Sequence, residues 1–195
     1  MAYRYTRNDK LALGAHHVYN QARDGLWMFR DNDDRDYFQF LIDRHISAKP
    51  RFDQRGRPYV HLRDEVRMNA RNLLYSHFHL VLWQRVPGGI ERLMSRVLSR
   101  YSMHYNAKYG TSGYLYRCEY RARLIESPAQ FRWRVGYVHD NQEKKGVAWK
   151  YSTHSQLIVP SEAASALDVD APLKLFGGVD GYLAYMAKRA QRKSL

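Results

Sequence analysis

The segment Ser76-His77-Phe78-His79-Leu80 sets two imidazoles two residues apart. In an extended strand, residues i and i+2 leave the same face, so both rings can reach one divalent ion. With nine histidines among 195 residues, about 0.4 such pairs arise by chance, and the pair alone identifies nothing. A second segment, Tyr137-Val138-His139-Asp140-Asn141, adds to it. On a helix, Tyr137 and Asn141 stand four apart and share a side with Arg134. Asn141 offers a third, oxygen ligand to a hard cation, and Tyr137 a nucleophilic hydroxyl beside it. His139 points to a different side. Tyr137 is one of 16 tyrosines, most of which an ordinary domain uses in its core or at its rim. Its competitors Tyr101, Tyr105, Tyr114 and Tyr116 have no Asn or Gln four residues later.

These residues need a sheet and a helix to hold them. Leu11 to Gln21 reads as a first strand, and Asp24-Gly25 as a turn. Asp31, Asp33 and Asp34 suit a helix N-terminus, and Tyr37, Phe38, Leu41, Ile42 and His45 continue at helical spacing, which predicts a helix over 32–47. Lys49-Pro50 to Gly56-Arg57-Pro58 is a polar break. Tyr59 to Arg67 and Asn72 to Trp83 read as strands, the second almost wholly apolar or aromatic and therefore central. Pro87-Gly88-Gly89 precedes a long helix with an apolar stripe of Ile90, Leu93, Met94, Val97, Leu98, Tyr101 and Tyr105, ended at Tyr109-Gly110. Tyr114 to Ile125 reads as a strand. Ser127-Pro128 caps a helix expected to run to Lys145-Gly146. This order implies an α+β domain over 1–150, an antiparallel sheet with helices on one face. Residues 151–195 read as a tail packed on it, with helical segments Asp168 to Gly178 and Asp180 to Arg192 joined at Gly177-Gly178.

Composition narrows the partners. Lys and Arg number 32 against 19 Asp and Glu, a net charge of +13, and residues 85–150 alone carry +8. Arginine's planar fork matches phosphate oxygens, and a basic field focused on the middle of a domain points to nucleic acid. Arg92, Arg96 and Arg100 line up at i, i+4, i+8, and Arg117, Arg121, Arg123 and Arg134 extend the basic region. Tyr114 and Tyr116 can stack unpaired bases. A single cysteine, Cys118, excludes an internal disulfide and a four-cysteine zinc site. No apolar run is long enough to span a membrane, and the N-terminal residues lack the apolar region of a secretory signal, so a cytoplasmic protein is expected.

Taken together, the segments resemble the REP-associated tyrosine transposases of the single-tyrosine HUH superfamily. The resemblance rests on the Asp-rich helix start (Asp31 to Phe40), the strand Ser76 to Val81, and Tyr109-Gly110-Thr111-Ser112-Gly113-Tyr114-Leu115-Tyr116-Arg117. Arg121 to Glu126 and Tyr137 to Asn141 complete it, in matching order over about residues 10–160. Leu74-Tyr75-Ser76 stands where the family often has Met-Pro-Asn, and Gln142 where it often has proline. The resemblance implies a ferredoxin-like sheet of the HUH endonuclease type, with His77 and His79 on a central strand and the nucleophile Tyr137 on a nearby helix. It further implies a Mg²⁺ or Mn²⁺ ion on His77, His79 and Asn141, and cleavage of single-stranded DNA through a 5′-phosphotyrosine link that a second 3′-OH can resolve. The expected partner is single-stranded DNA, with hairpin-containing repeats, in a nucleoid-associated bacterial protein acting as monomer or homodimer. Two readings stay open beside it: a non-catalytic nucleic-acid-binding or regulatory protein on the same scaffold, and a histidine-based metal hydrolase with no covalent step.

Overall fold

The computed structural model describes residues 12–141, 151–159 and 166–193. Four strands form one antiparallel sheet: β1 (Gly14–Gln21), β2 (Val66–Leu73), β3 (His77–Gln84) and β4 (Arg121–Leu124), in the order β2-β3-β1-β4. The two central strands are therefore β3 and β1. Helices α1 (Asn32–Ile46) and α2 (Gly89–Tyr109) follow β1 and β3, and α3 (Pro128–Asp140) follows β4. Three more follow among the described residues: α4 (His154–Ile158), α5 (Asp170–Phe176) and α6 (Gly178–Lys193). This is the α+β antiparallel architecture expected.

Strand alternation divides the core in two. Val18 of β1 and Phe78, Leu80 and Leu82 of β3 face one way, into a cluster with Phe38, Leu41 and Ile42 of α1 and Leu93, Val97 and Tyr101 of α2. Phe38 sits 5.2 Å from Phe78 and 5.1 Å from Tyr101, ring centre to ring centre, with the latter pair edge-to-face. Ala15, Ala70 and Val81 face the other way, against Phe131, Val135 and Val138 of α3 and Phe176, Tyr182 and Met186 near the C-terminus. Helices thus cover both faces of the sheet, not one. The sheet has apolar residues on each face of its central strands, so each face needs its own cover.

The carboxylates at the start of α1 serve the fold. Asp31 caps the helix by accepting from the Asp34 amide at 2.9 Å, and Lys108 Nζ bonds both Asp31 and Asp34 within 2.9 Å, tying α1 to the end of α2. Gly110 ends α2 in the left-handed region (φ 61°), where a side chain would be strained. Ser127 Oγ accepts from the Gln130 amide and caps α3 with Pro128 in its first turn, as its sequence signature indicates.

Several boundaries differ from the expectations. Tyr59 to Glu65 is not a strand: Tyr59 and Leu62 donate backbone bonds to Arg51 O and His45 O instead of to a ladder. The expected strand from Asn72 is broken by a tight hairpin at Leu74-Tyr75-Ser76, closed by Leu74 N to His77 O at 2.9 Å. The apolar run continues through the turn because Leu73 before the bend and Phe78 after it are buried in one cluster, with Leu74 buried in the bend itself. The last strand is shorter than Tyr114 to Ile125, because before Arg121 the chain makes a single ladder bridge, between Tyr116 and Ala22, and is otherwise held by the Asn20 amide donating to Cys118 O at 3.1 Å. Helix α3 stops at Asp140; the expected extension to Lys145-Gly146, like Leu11 and Gln142, lies outside the described residues.

The C-terminal residues dock on the β2 edge and on α3. Thr153 N donates to Arg71 O at 2.9 Å and Asp168 N to Met68 O at 2.7 Å. Gly177, in the left-handed region, separates α5 from α6. No helix among the described residues is long and apolar enough to cross a membrane.

Candidate active site

His77 and His79 leave the same face of β3, the face covered by α3, with ring centres 5.0 Å apart. The neighbouring strand β1 pairs antiparallel with β3 so that Tyr19 lies opposite His79, and His17 is two residues along on that same face. His17 Nε2 and His79 Nδ1 meet at 2.9 Å. Tyr137 drops onto this group from α3, edge-to-face with His79 at 5.4 Å and with His17 at 6.0 Å. Trp133, one turn earlier, stacks parallel to the Tyr137 ring at 5.5 Å, and the Arg134 guanidinium lies 5.6 Å from the Tyr137 ring centre. Thus β1, β3 and α3 together bring an imidazole trio and a phenol to one place.

The position of α3 depends on Asn72 of β2, the register partner of His79. Its buried amide donates to the carbonyls of Val138 (2.8 Å) and Asn141 (2.6 Å), two of the helix-end acceptors that have no intrahelical partner. Asn141 is the C-cap of α3, at φ −75° and ψ 97°, and is engaged here through its carbonyl. At the same end, His139 is fully buried with Nδ1 at 2.8 Å from Tyr182 Oη and Nε2 at 2.9 Å from Thr153 Oγ1. It therefore belongs to the packing of the C-terminal helices, away from Tyr137, as its helical position suggests.

Burial, then the neighbouring His77 and the Arg134 cation, pulls the His79 pKa down to about 3. Burial, then His79, Arg134 and Arg123, pulls His17 down to about 2. Both rings are neutral at neutral pH, and neutral imidazole is the form that binds metals. A metal on His79 Nε2 requires the proton on Nδ1, which then donates to His17 Nε2. His17 thus stands where the outer hydrogen-bond partner of a metal-binding histidine stands. Among the described residues no group of three His, Cys, Asp and Glu could hold a metal ion, and no carboxylate acts on His17, His79 or Arg134. The neutral nitrogen donors fit Mn²⁺ better than Mg²⁺, which favours anionic oxygen.

The structure separates the arginines named from the sequence. Arg121 and Arg123 lie on β4 opposite Tyr19 and His17, on the site's face, with the Arg123 guanidinium 5.9 Å from the Tyr19 ring. Arg134 is beside Tyr137. Arg92, Arg96 and Arg100 stand on α2, which covers the opposite face of the sheet. Arg92 is engaged by Glu65, with Nε donating to Oε2 at 2.7 Å, and Arg96 donates to the Arg92 carbonyl. Arg117 pairs with Asp24 at 3.5 Å on the surface. Tyr114 is 87% exposed, whereas Tyr116 packs on the α1–α2 core and donates its hydroxyl to Leu98 O at 3.0 Å, so it is not an open stacking ring. Tyr101 and Tyr105 are likewise core residues, donating to Met28 O and Trp27 O. Sequence reasoning missed His17, Asn72 and Trp133. For His17 a signal existed, since His17 and Tyr19 share one face of an apolar strand.

No protein-family model matches this chain, and no curated protein does. Its fold is similar to the solved structure of a REP-associated tyrosine transposase bound to a REP hairpin, with a TM-score of 0.56 and 14% sequence identity. The match covers 86% of this chain and 90% of that one.

Proposed function

We propose that this protein cuts and rejoins single-stranded DNA, with Tyr137 as the nucleophile. The observation that carries the reading is the meeting of Tyr137 with His79 at 5.4 Å, from two elements far apart in the chain, beneath Arg134. The likeness of the fold to a transposase bound to a DNA hairpin supports it. His77, His79 and Asn141 would hold a divalent ion, Mn²⁺ or Mg²⁺, whose chemistry is to withdraw charge from the phosphate and orient it in line.

Arg121, Arg123 and Arg134 attract the strand and neutralise its non-bridging oxygens. Tyr137 Oη forms a bond to phosphorus as the bond from phosphorus to the 3′-oxygen breaks. The phenol gives up its proton, the departing oxygen takes one up, and a 5′-phosphotyrosine and a free 3′-OH result. The diester is conserved, so attack by another 3′-OH reverses the step and joins new ends without ATP. Stacking on Trp133 and edge contact with His79 limit the rotation of the Tyr137 ring, which favours one direction of attack.

Labelled single-stranded DNA bearing a hairpin, incubated with Mn²⁺ and run on a denaturing gel, tests the reading. Wild-type protein is expected to form a covalent adduct, and Tyr137→Phe to form none while still binding DNA. Adduct formation by Tyr137→Phe at the wild-type rate would assign the attack to another residue.

A further inference from the structure

Beyond the imidazole group, a cavity of about 230 Å³ opens between α3 and α6, lined by Trp133, Tyr185, Lys188, Arg189 and Arg192. Four of these residues belong to α6 at i, i+3, i+4 and i+7, so one face of that helix supplies a tyrosine and three cations. Trp133 supplies the facing wall, and it is 47% exposed although it stacks on Tyr137. Arg189 is already committed: its Nε donates to Asp140 Oδ2 at 2.6 Å, which fixes the wall. Lys188 and Arg192 are exposed on the same helix face.

We propose that this cavity receives one unpaired nucleotide of the DNA strand next to the phosphate at Tyr137, its base against Trp133 and Tyr185 and its phosphate met by Lys188 and Arg192. Three observations favour this occupant. Aromatic rings flanked by cations are the combination that binds single strands, because every base has a face to stack and every residue a phosphate. The volume equals that of about eight waters and falls below the range of drug-sized pockets, so it admits one ring system but not a row of bases. The Trp133 ring also continues directly into the Tyr137 ring, so a base in the cavity lies on the path of a strand whose phosphate is at the tyrosine. The placement relative to Tyr137 rests on the reading given under Proposed function, whereas binding in the cavity does not require that Tyr137 react.

The test compares the full-length protein's affinity, without divalent metal, for a short thymidine oligonucleotide and for the same backbone with every base replaced by an abasic residue. The wild type should prefer the base-bearing strand, and Trp133→Ala should reduce that preference by about 5- to 150-fold, the range covered by stacking one base on one ring. Trp133→Phe should restore part of it, which a merely structural tryptophan would not require. Lys188→Ala with Arg192→Ala should lower the slope of log affinity against log salt by about 1.4, from two phosphate contacts on a single strand. An undiminished preference in Trp133→Ala, or an unchanged salt slope in the lysine–arginine variant, overturns the proposal. Equal wild-type affinity for the two strands means that the cavity takes phosphate alone, and overturns it as well. None of these readouts involves the covalent adduct, so failure of Tyr137 as nucleophile would be seen separately.

Discussion

Gly136 lies in α3 where α6 crosses it, and replacing it with alanine tests how the C-terminal helix holds the reactive one. A Cβ there would stand 2.8 Å from Arg189 Cδ and 2.9 Å from both Arg189 Nε and Tyr185 Cε1, closer than carbon atoms tolerate. Arg189 cannot move without stretching its 2.6 Å bond to Asp140, in a pair whose side chains are only 14% and 11% exposed. Losing a charge-assisted bond of this kind costs about 1.5–3 kcal/mol, and forcing a methyl into a packed contact about 1–3 kcal/mol. Both describe the same displacement and overlap. Alanine returns about 1 kcal/mol of helix propensity. The net expectation is a loss of about 0.5–2 kcal/mol, or about 1–8 °C in melting temperature for a chain of this size. Thermal unfolding followed by circular dichroism at neutral pH measures it. In Gly136→Ala combined with Arg189→Ala the contact with Arg189 is relieved and only that with Tyr185 remains, so the double variant should be less destabilised than the sum of the two single ones. An unchanged or raised melting temperature in Gly136→Ala would refute tight packing of α6 on α3.

Two further outcomes follow from the imidazoles. His17→Ala removes the partner of His79 Nδ1 without touching His77, and should weaken Mn²⁺ binding by about 10- to 100-fold in calorimetry; equal affinity would show that His17 does not orient a ligand. His139 is held neutral in the fold, its pKa pushed down to about 3 by burial and then by His154, against about 6.5 when unfolded. Between pH 6.5 and 3 the unfolded chain therefore binds a proton that the folded chain does not, and stability falls as pH falls, by about 1.4 kcal/mol per pH unit. His79 and His17 act with the same sign. Urea unfolding in the absence of divalent metal should show a loss of about 2 kcal/mol per buried histidine between neutral pH and pH 5, and an unchanged midpoint would contradict neutral burial.

What could be read without coordinates was what depends on neighbours along the chain. The stripe from Ile90 to Tyr105, the cap at Ser127-Pro128 and the break at Gly177-Gly178 mark helices because helical periodicity and end chemistry act within a few residues. His77 and His79 share a face because a strand alternates with a period of two. The hairpin at Leu74-Tyr75-Ser76 escaped this reading, since its flanks are as apolar as the strands it separates and bury in the same core. The end of α3 escaped too, because it is met by the Asn72 amide from another strand. Tertiary structure alone decided which arginines face the site. Arg123 and Arg92 look alike in a basic stretch, yet one lies across from His17 and the other is held by Glu65 behind the sheet. It also decided that His17 backs His79 and that Trp133 walls a cavity with α6. Those pairings are set by strand register and helix docking, which bring together residues that no local spacing connects.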